Sequence, residues 1–283
     1  MRLMTLNTHS RPASARHVAA LLAQRMIQEQ LDVVALQEVN QSRDADVVDQ
    51  TWLANTGYCA PRGARLPVGS DNFALLVAEQ LHGQGYHWCY LPVKLGYQVY
   101  DEGLALLWRG EVQDFRALQL SRTRAYESWR RRMALGIRLQ QGWFYSVHFS
   151  RWEEEQDSFL AQWERMHAAT RDTEPTFLMG DFNCPADECD QGYHRMLCDG
   201  WHDLFAKAAV RVGEATAVGE IDGWRDRGGA SSRRIDYIMS NDGSLRVSHA
   251  ETIFDGTRGQ VVISDHFGVL CEVERTMGGR ADG

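Results

Sequence analysis

The chain has 283 residues, 44% of them hydrophobic and 24% charged, the balance of a globular protein with a packed core and room for one large domain. No run of about 18 apolar residues offers a membrane-spanning helix, and a net charge of −8 suits a small anionic partner better than a long polyanion, whose binding draws on a basic face. The opening MRLMTLNTHS has no signal-peptide core, and the six cysteines are scattered without a CxxC pair, so free thiols and a cytoplasmic setting are expected rather than disulfides or zinc.

In chain order, RLMTLN is a short apolar run that predicts a strand buried on both faces. Ala15, Val18, Ala19, Leu22 and Met26 then fall at helical spacing, with Ser14 placed as N-cap. DVVALQEV predicts a buried strand ending at Glu38, and DNFALLVAEQL a second helix with Asp71 near its start. HWCYLPV, GLALLW, VQDFRALQL, RMALGIRL and GWFYSVHF follow as closely spaced, antiparallel strands, the last two joined by a QQG turn. A helix is expected from about Glu153 to Thr170, then the strand TFLMGD, and finally the strands RRIDYIM, LRVSHAETIF and FGVLCEVE. Helices interspersed among parallel-type and hairpin-type strands predict an α/β fold of two mixed sheets packed face to face with helices outside. Residues 1–275 are read as one domain, and 276–283, TMGGRADG, as a flexible tail.

Several predicted strands end in a polar residue: Asn7, Glu38, His148, and Asp181 with Asn183; Asp236, Asp265 and His266 stand at the starts of the last ones. In GDFNCP, an extended chain puts Asp181 and Asn183 on one face, Gly180 allows a close backbone approach and Pro185 stops the pairing. One carboxylate at a strand end is ordinarily structural. Several converging at one rim would make a cluster of hard oxygen ligands and imidazoles suited to Mg²⁺, Mn²⁺ or Ca²⁺. Glu38 and Asp265 are the candidate direct ligands, supported by Asn7. If Asp236 and His266 meet, the carboxylate fixes the ring tautomer and favours its charged form.

Taken in order, TLN, LQEV, SVHF, GDFN, RIDYI and SDHFGV resemble the motifs of the endonuclease/exonuclease/phosphatase superfamily of divalent-metal phosphoesterases, and they span Asn7 to His266. The resemblance implies a four-layer α/β sandwich and a Mg²⁺ cofactor, with Mn²⁺ as a substitute, held by Glu38, Asn7 and Asp265. It also implies that Asp181, with Asn183 nearby, orients or deprotonates an attacking water. His266, steadied by Asp236, and His148 from another side would contact the phosphoryl group. Abasic-site nucleases of the superfamily carry a central Tyr and an Asp two positions after the first Asn; His148 and His9 stand there instead, which argues against that activity.

TLNTHS, DNFALLV, GYQVYDEGLALL, IDGW and RRIDYI further resemble bacterial maltose 6'-phosphate phosphatases and their relatives, while HFSRW and the Arg-rich RTRAYESWRRR depart from them. The small phosphorylated substrate implied would meet residues outside the metal core. Tyr97, Tyr100, Trp152 and Trp224 can stack on a sugar ring or serve as ordinary packing. Asp71, Asn72, Asp101, Glu102 and Asp222 can bind hydroxyls or cap helices and turns. Arg130, Arg131 and Arg132 form a solvated edge unless one points inward to a phosphate. A nuclease is the alternative activity; a binding protein that merely kept the fold runs against the intact polar set, and no basic amphipathic helix suggests a membrane surface.

Overall fold

The computed structural model describes residues 1–10, 14–61, 66–152, 154–171, 174–188, 192–219 and 232–275. The expected tail, 276–283, lies outside them. The chain runs through β1 (Arg2–Asn7), α1 (Ala15–Gln28), β2 (Val33–Ser42), α2 (Gln50–Asn55), α3 (Phe73–Gln80), β3 (Tyr86–Gly96) and β4 (Tyr100–Arg109). Next come β5 (Asp114–Gln119), β6 (Met133–Leu139), β7 (Gly142–His148), α4 (Phe159–Thr170), β8 (Thr176–Asp181) and α5 (Gly192–Cys198). Short pieces follow, β9 (His202–Asp203), α6 (Leu204–Lys207), β10 (Val210–Val212), β11 (Ala217–Val218) and β12 (Ser232–Arg233). The chain closes with β13 (Asp236–Ser240), β14 (Leu245–Ile253) and β15 (Gly268–Arg275).

The strands form a seven-stranded sheet, β10-β14-β15-β1-β2-β4-β3, and a six-stranded sheet, β5-β6-β7-β8-β13-β9. Their inner faces share one core, in which Leu3, Ala35, Leu91 and Leu106 of the first meet Leu135, Ile137, Phe144 and Met179 of the second. Helices α1 and α3 cover the outer face of the first sheet through Leu22, Met26, Phe73 and Val77. Helices α4 and α5 cover that of the second through Phe159, Trp163, Met166 and Met196. The result is the expected four-layer α/β sandwich. Burying each Leu or Phe of these layers contributes about 1.5–3 kcal/mol, which is why strands with so little exposed edge read as near-continuous apolar runs.

Local differences from the sequence reading have local causes. Strand β2 does not end at Glu38 but continues to Ser42, because β4 pairs with it beyond that point, Asn40 opposite Glu102 and Gln41 opposite Asp101. The expected helix from Glu153 starts only at Phe159, where the Ser158 hydroxyl caps Ala161 N. Ser14 precedes α1 without a capping side-chain bond. Asn72, not Asp71, caps α3 by accepting from Ala74 N and Leu75 N, and Asp71 instead accepts Ser42 N with both oxygens. At Gly180 a Cβ would collide with the Val147 carbonyl, so β7 and β8 can approach only because that position is glycine. Between the sheets, Gln37 donates to Ser146 Oγ at 3.0 Å and Ser146 donates to the Leu36 carbonyl at 2.9 Å, a polar tie just beneath the rim where the functional residues gather.

Candidate active site

Strand direction explains why that rim is polar. β1 and β2 run parallel, as do β7 and β8, so Asn7, Glu38, His148 and Asp181 all lie toward C-terminal ends at one edge of the sandwich. β13 and β15 run opposite to their neighbours β8 and β1. Asp236, the first residue of β13, and the Asp265–His266 segment before β15 therefore reach the same edge. In register, Asp181 has His148 as its partner on one side and Asp236 on the other. Three polar side chains thus stand side by side across three adjacent strands, about one strand spacing of 4.8 Å apart.

Asn7 is fully buried and ties two acids together: its amide donates to Glu38 Oε1 at 3.0 Å and to Asp181 Oδ2 at 3.1 Å. Glu38 sits on a bulge, where β2 spends one residue more than β4 between Leu36 and Val39, and its φ is 48°. A bulge with a left-handed residue re-aims a side chain, here toward the cavity while Gln37 stays between the sheets. His9 Nδ1 lies 3.2 Å from Glu38 Oε2 and 3.8 Å from Asp265 Oδ2. Burial disfavours charge on Glu38, yet the His9 hydrogen bond, the Lys94 ammonium and the Asn7 amide together hold its carboxyl far below the usual range.

On the other sheet, His266 Nδ1 bonds Asp236 Oδ2 at 2.9 Å, while its Nε2 lies 3.9 Å from Asp181 Oδ2. Burial opposes a charged ring, but Asp236, then Asp181 and Asp265, outweigh it and lift His266 to about 10. His148 Nε2 approaches Asp181 Oδ2 at 3.6 Å and is pushed well below its ordinary value by burial and by Arg132. One imidazole is therefore a charged donor and the other a neutral ring. Asp181 itself is pushed up to about 7 by burial and by Asp236. Asn183 lies outside the strand in a left-handed turn (φ 49°), its N–H on Asp181 Oδ1 at 2.8 Å and its amide donating to the Phe149 carbonyl at 3.0 Å. Asp181 and Asn183 reach the same cavity, then, through a turn and not through strand alternation.

These groups open into a cavity of about 390 Å³. Glu38, Asp181, Asp265, His148, His266 and Asn183 line one part; Lys94, Glu102, Arg132, Arg151, Tyr97 and Trp129 line the rest. The residues present fit a hard divalent cation: the carboxylates are clustered without thiolates, and Asp236 Oδ1 is buried with no hydrogen-bond partner. Glu38 and Asp265 approach a common point through His9, while Asp181, Asp236 and His266 bring one ligand-type atom each within 4.8 Å of one another.

Of the substrate candidates, Glu102, Arg132 and Tyr97 line the cavity, Tyr97 at the tip of the β3–β4 hairpin and 61% exposed. Tyr100, Asp101 and Arg131 do not. Tyr100 pairs in the hairpin with Ser42 and Gly96. Asp101 accepts from the Tyr126 hydroxyl at 2.7 Å, because alternation turns it to the face opposite Glu102. Arg131 donates to the Val93 carbonyl at 2.7 Å. Trp152 packs on Phe159 in the outer core. Asp222 and Trp224 lie outside the described residues. Lys94 and Glu154 line the cavity with no motif to announce them, Lys94 being one of only two lysines in the chain, while Trp129, Ser150 and Arg151 fall in the segments RTRAYESWRRR and HFSRW that depart from the resemblance.

Comparison with known proteins gives the family and the fold. A family model, the Endonuclease/Exonuclease/phosphatase family, matches residues 4–266. No curated protein matches the sequence significantly. Among solved structures, an endonuclease/exonuclease/phosphatase family protein from Leptotrichia buccalis is 24% identical with a TM-score of 0.80, over 97% of this chain and 99% of that one. A mannosyl-6-phosphatase from Bacteroides thetaiotaomicron is 18% identical with a TM-score of 0.62, over 97% and 99%. A 3' phosphatase from Neisseria bound to product DNA hairpin is 18% identical with a TM-score of 0.59, over the same shares. No helix among the described residues is long and apolar enough to cross a membrane.

Proposed function

Because the chain belongs to the endonuclease/exonuclease/phosphatase family, whose enzymes are divalent-metal-dependent phosphoesterases, we propose that it is a phosphomonoesterase for a small phosphorylated metabolite, with a sugar phosphate as the favoured substrate and Mg²⁺, or Mn²⁺ in its place, as cofactor. The observation that carries this reading is the cavity, in which an acid–imidazole wall faces buried cations across a space of about 390 Å³. That volume suits a metabolite better than a duplex, and the net charge of −8 points the same way.

In this reading Glu38 and Asp265, braced by Asn7 and His9, would hold the ion. When bound, it would polarise a phosphoryl oxygen and neutralise charge developing on the phosphate. Asp181, anchored by Asn7 and Asn183, orients or deprotonates the attacking water. The charged His266, its tautomer set by Asp236, donates from Nε2 to a phosphoryl oxygen, and His148 approaches from the neighbouring strand. Water oxygen bonds to phosphorus, the bond to the ester oxygen breaks, and one proton of the water ends on that oxygen, which leaves as the alcohol, while the other stays with the phosphate. Positioning and charge neutralisation supply most of the rate in such a displacement.

The test is phosphate release in Mg²⁺, with EDTA controls, from maltose 6'-phosphate, hexose phosphates, inositol phosphates and a nicked or abasic duplex. Release from a sugar phosphate that EDTA abolishes is expected. Cleavage of the duplex alone would replace the proposal with a nuclease.

A further inference from the structure

The cavity contains charge that attack by water does not itself require. Lys94 follows a bulge at Pro92 that turns its side chain inward, and it faces Glu102 across the β3–β4 ladder at 3.0 Å. Its side chain is only 12% exposed. Arg132, 7% exposed, stands just before β6. Its Nη1 donates to the carbonyls of Trp129 and Arg131 at 2.7 and 3.1 Å, but its buried Nε has no partner. No carboxylate of the described residues lies within ion-pair distance of it.

Arg132 feels the fields of Glu102, Glu38, Asp181 and Glu154 without a direct ion pair, so a hydrogen-bonding anion in the cavity would give its buried Nε the partner it lacks. A phosphomonoester supplies one, since its phosphate carries about −1.5 to −2 near neutral pH. A phosphodiester, with a single ionised oxygen, meets these cations less well.

We propose that Lys94 and Arg132 are specificity-determining residues that receive the non-bridging oxygens of a phosphomonoester, with Glu102 as the positioning residue for Lys94, so that the site selects monoesters over diesters. The inference rests on the phosphomonoesterase reading above. It assigns the selection to the charge of these two side chains rather than to the residues that activate water.

The experiment compares wild type, Arg132→Met and the double variant Lys94→Met/Glu102→Gln, which removes a buried pair together so that neither charge is stranded. Each is assayed in Mg²⁺ with p-nitrophenyl phosphate and bis(p-nitrophenyl) phosphate, and inorganic phosphate binding is measured by calorimetry. Both variants are expected to bind inorganic phosphate at least about tenfold more weakly and to lose at least about tenfold in the monoester-to-diester ratio of kcat/KM, the scale of one charge-assisted hydrogen bond. Folded variants that keep both quantities within about twofold overturn the inference. Should Arg132→Met not fold, Arg132→Lys keeps the charge and loses the planar fork; a smaller fall in the same ratio is then expected, and an unchanged ratio overturns the role of Arg132. A wild type that releases phosphate while the variants retain its ratio defeats the inference alone. A wild type that releases none from any monoester defeats the phosphomonoesterase reading and the inference with it.

Discussion

The two walls of the cavity are built by different means. On the acid–imidazole side, His148, Asp181 and Asp236 are register partners on three adjacent strands, and Asn7 ends a fourth. Regular pairing alone sets their spacing. On the cationic side, Lys94 owes its direction to an extra residue in β3, and Arg132 to a loop end held by the carbonyls of Trp129 and Arg131. Glu38 belongs to the first wall but is placed by the second method, a bulge with positive φ. The difference teaches that a regular ladder fixes the spacing between neighbouring side chains, whereas bulges and loop ends aim single side chains into the cavity.

The largest effect should come from the centre of the regular wall. Asp181→Asn keeps shape and removes the carboxylate, and turnover should fall by about 10²–10⁴-fold with cooperative melting retained. Phosphate-release kinetics beside a thermal melt check this, and an active variant would remove Asp181 from the chemistry. Next, Glu38→Gln should raise the Mg²⁺ needed for half-maximal activity by at least about tenfold. Stripping the metal with EDTA should stop turnover and lower the melting temperature, with Mg²⁺ at 100 times its Kd restoring about 2.7 kcal/mol. An unchanged metal titration would strike Glu38 from the ligands.

Asp236→Asn tests whether the His266 dyad works as an electrostatic unit. Burial opposes charge on His266, but Asp236 chiefly outweighs it and raises the ring to about 10 against an ordinary 6.5, a shift to be followed in EDTA-treated protein. A raised folded value means that the stabilisation is complete below about pH 6.5 and is lost progressively as pH rises through about 10. Proton NMR of the ring should therefore show a late titration that moves down sharply in Asp236→Asn, and the fall of melting temperature over that window should flatten. The same slope in both proteins would break the dyad. The smallest effect belongs to the irregular wall's outer lip: Trp129, 51% exposed, should on replacement by Ala raise KM for a sugar phosphate by about three- to tenfold while leaving stability within about 0.5 kcal/mol. An unchanged KM would place the sugar elsewhere.

The neighbouring pair Asp101 and Glu102 shows where sequence reading stops. Both belong to the same motif-like segment, and both carry carboxylates. Alternation sends Asp101 to Tyr126 and Glu102 to the cavity, but which goes where depends on the pairing of β4 with β2 and β3, set by residues 60 positions apart in the case of Gln41. The same limit hid Lys94: a bulge has no marker in VKLG, and only the paired strand reveals the extra residue. Asn183 was legible as a cavity residue for a reason the structure revises, since a short Asp side chain accepting the N–H two residues on made the turn instead of an extended strand.

What the sequence determined by itself was the longer strands of the two sheets and several of their polar ends. Short apolar runs closing on Asn7, His148 or Asp181 are local patterns, and local patterns survive in one dimension. Tertiary structure alone decided which of those ends share a rim, which of two adjacent acids turns inward, and that Lys94 and Arg132 lie buried across from the acids. The physical reason is that register, bulges and charge pairing are properties of strands in contact: they arise from hydrogen-bond ladders between segments far apart in the chain, and from burial that no single segment can create alone.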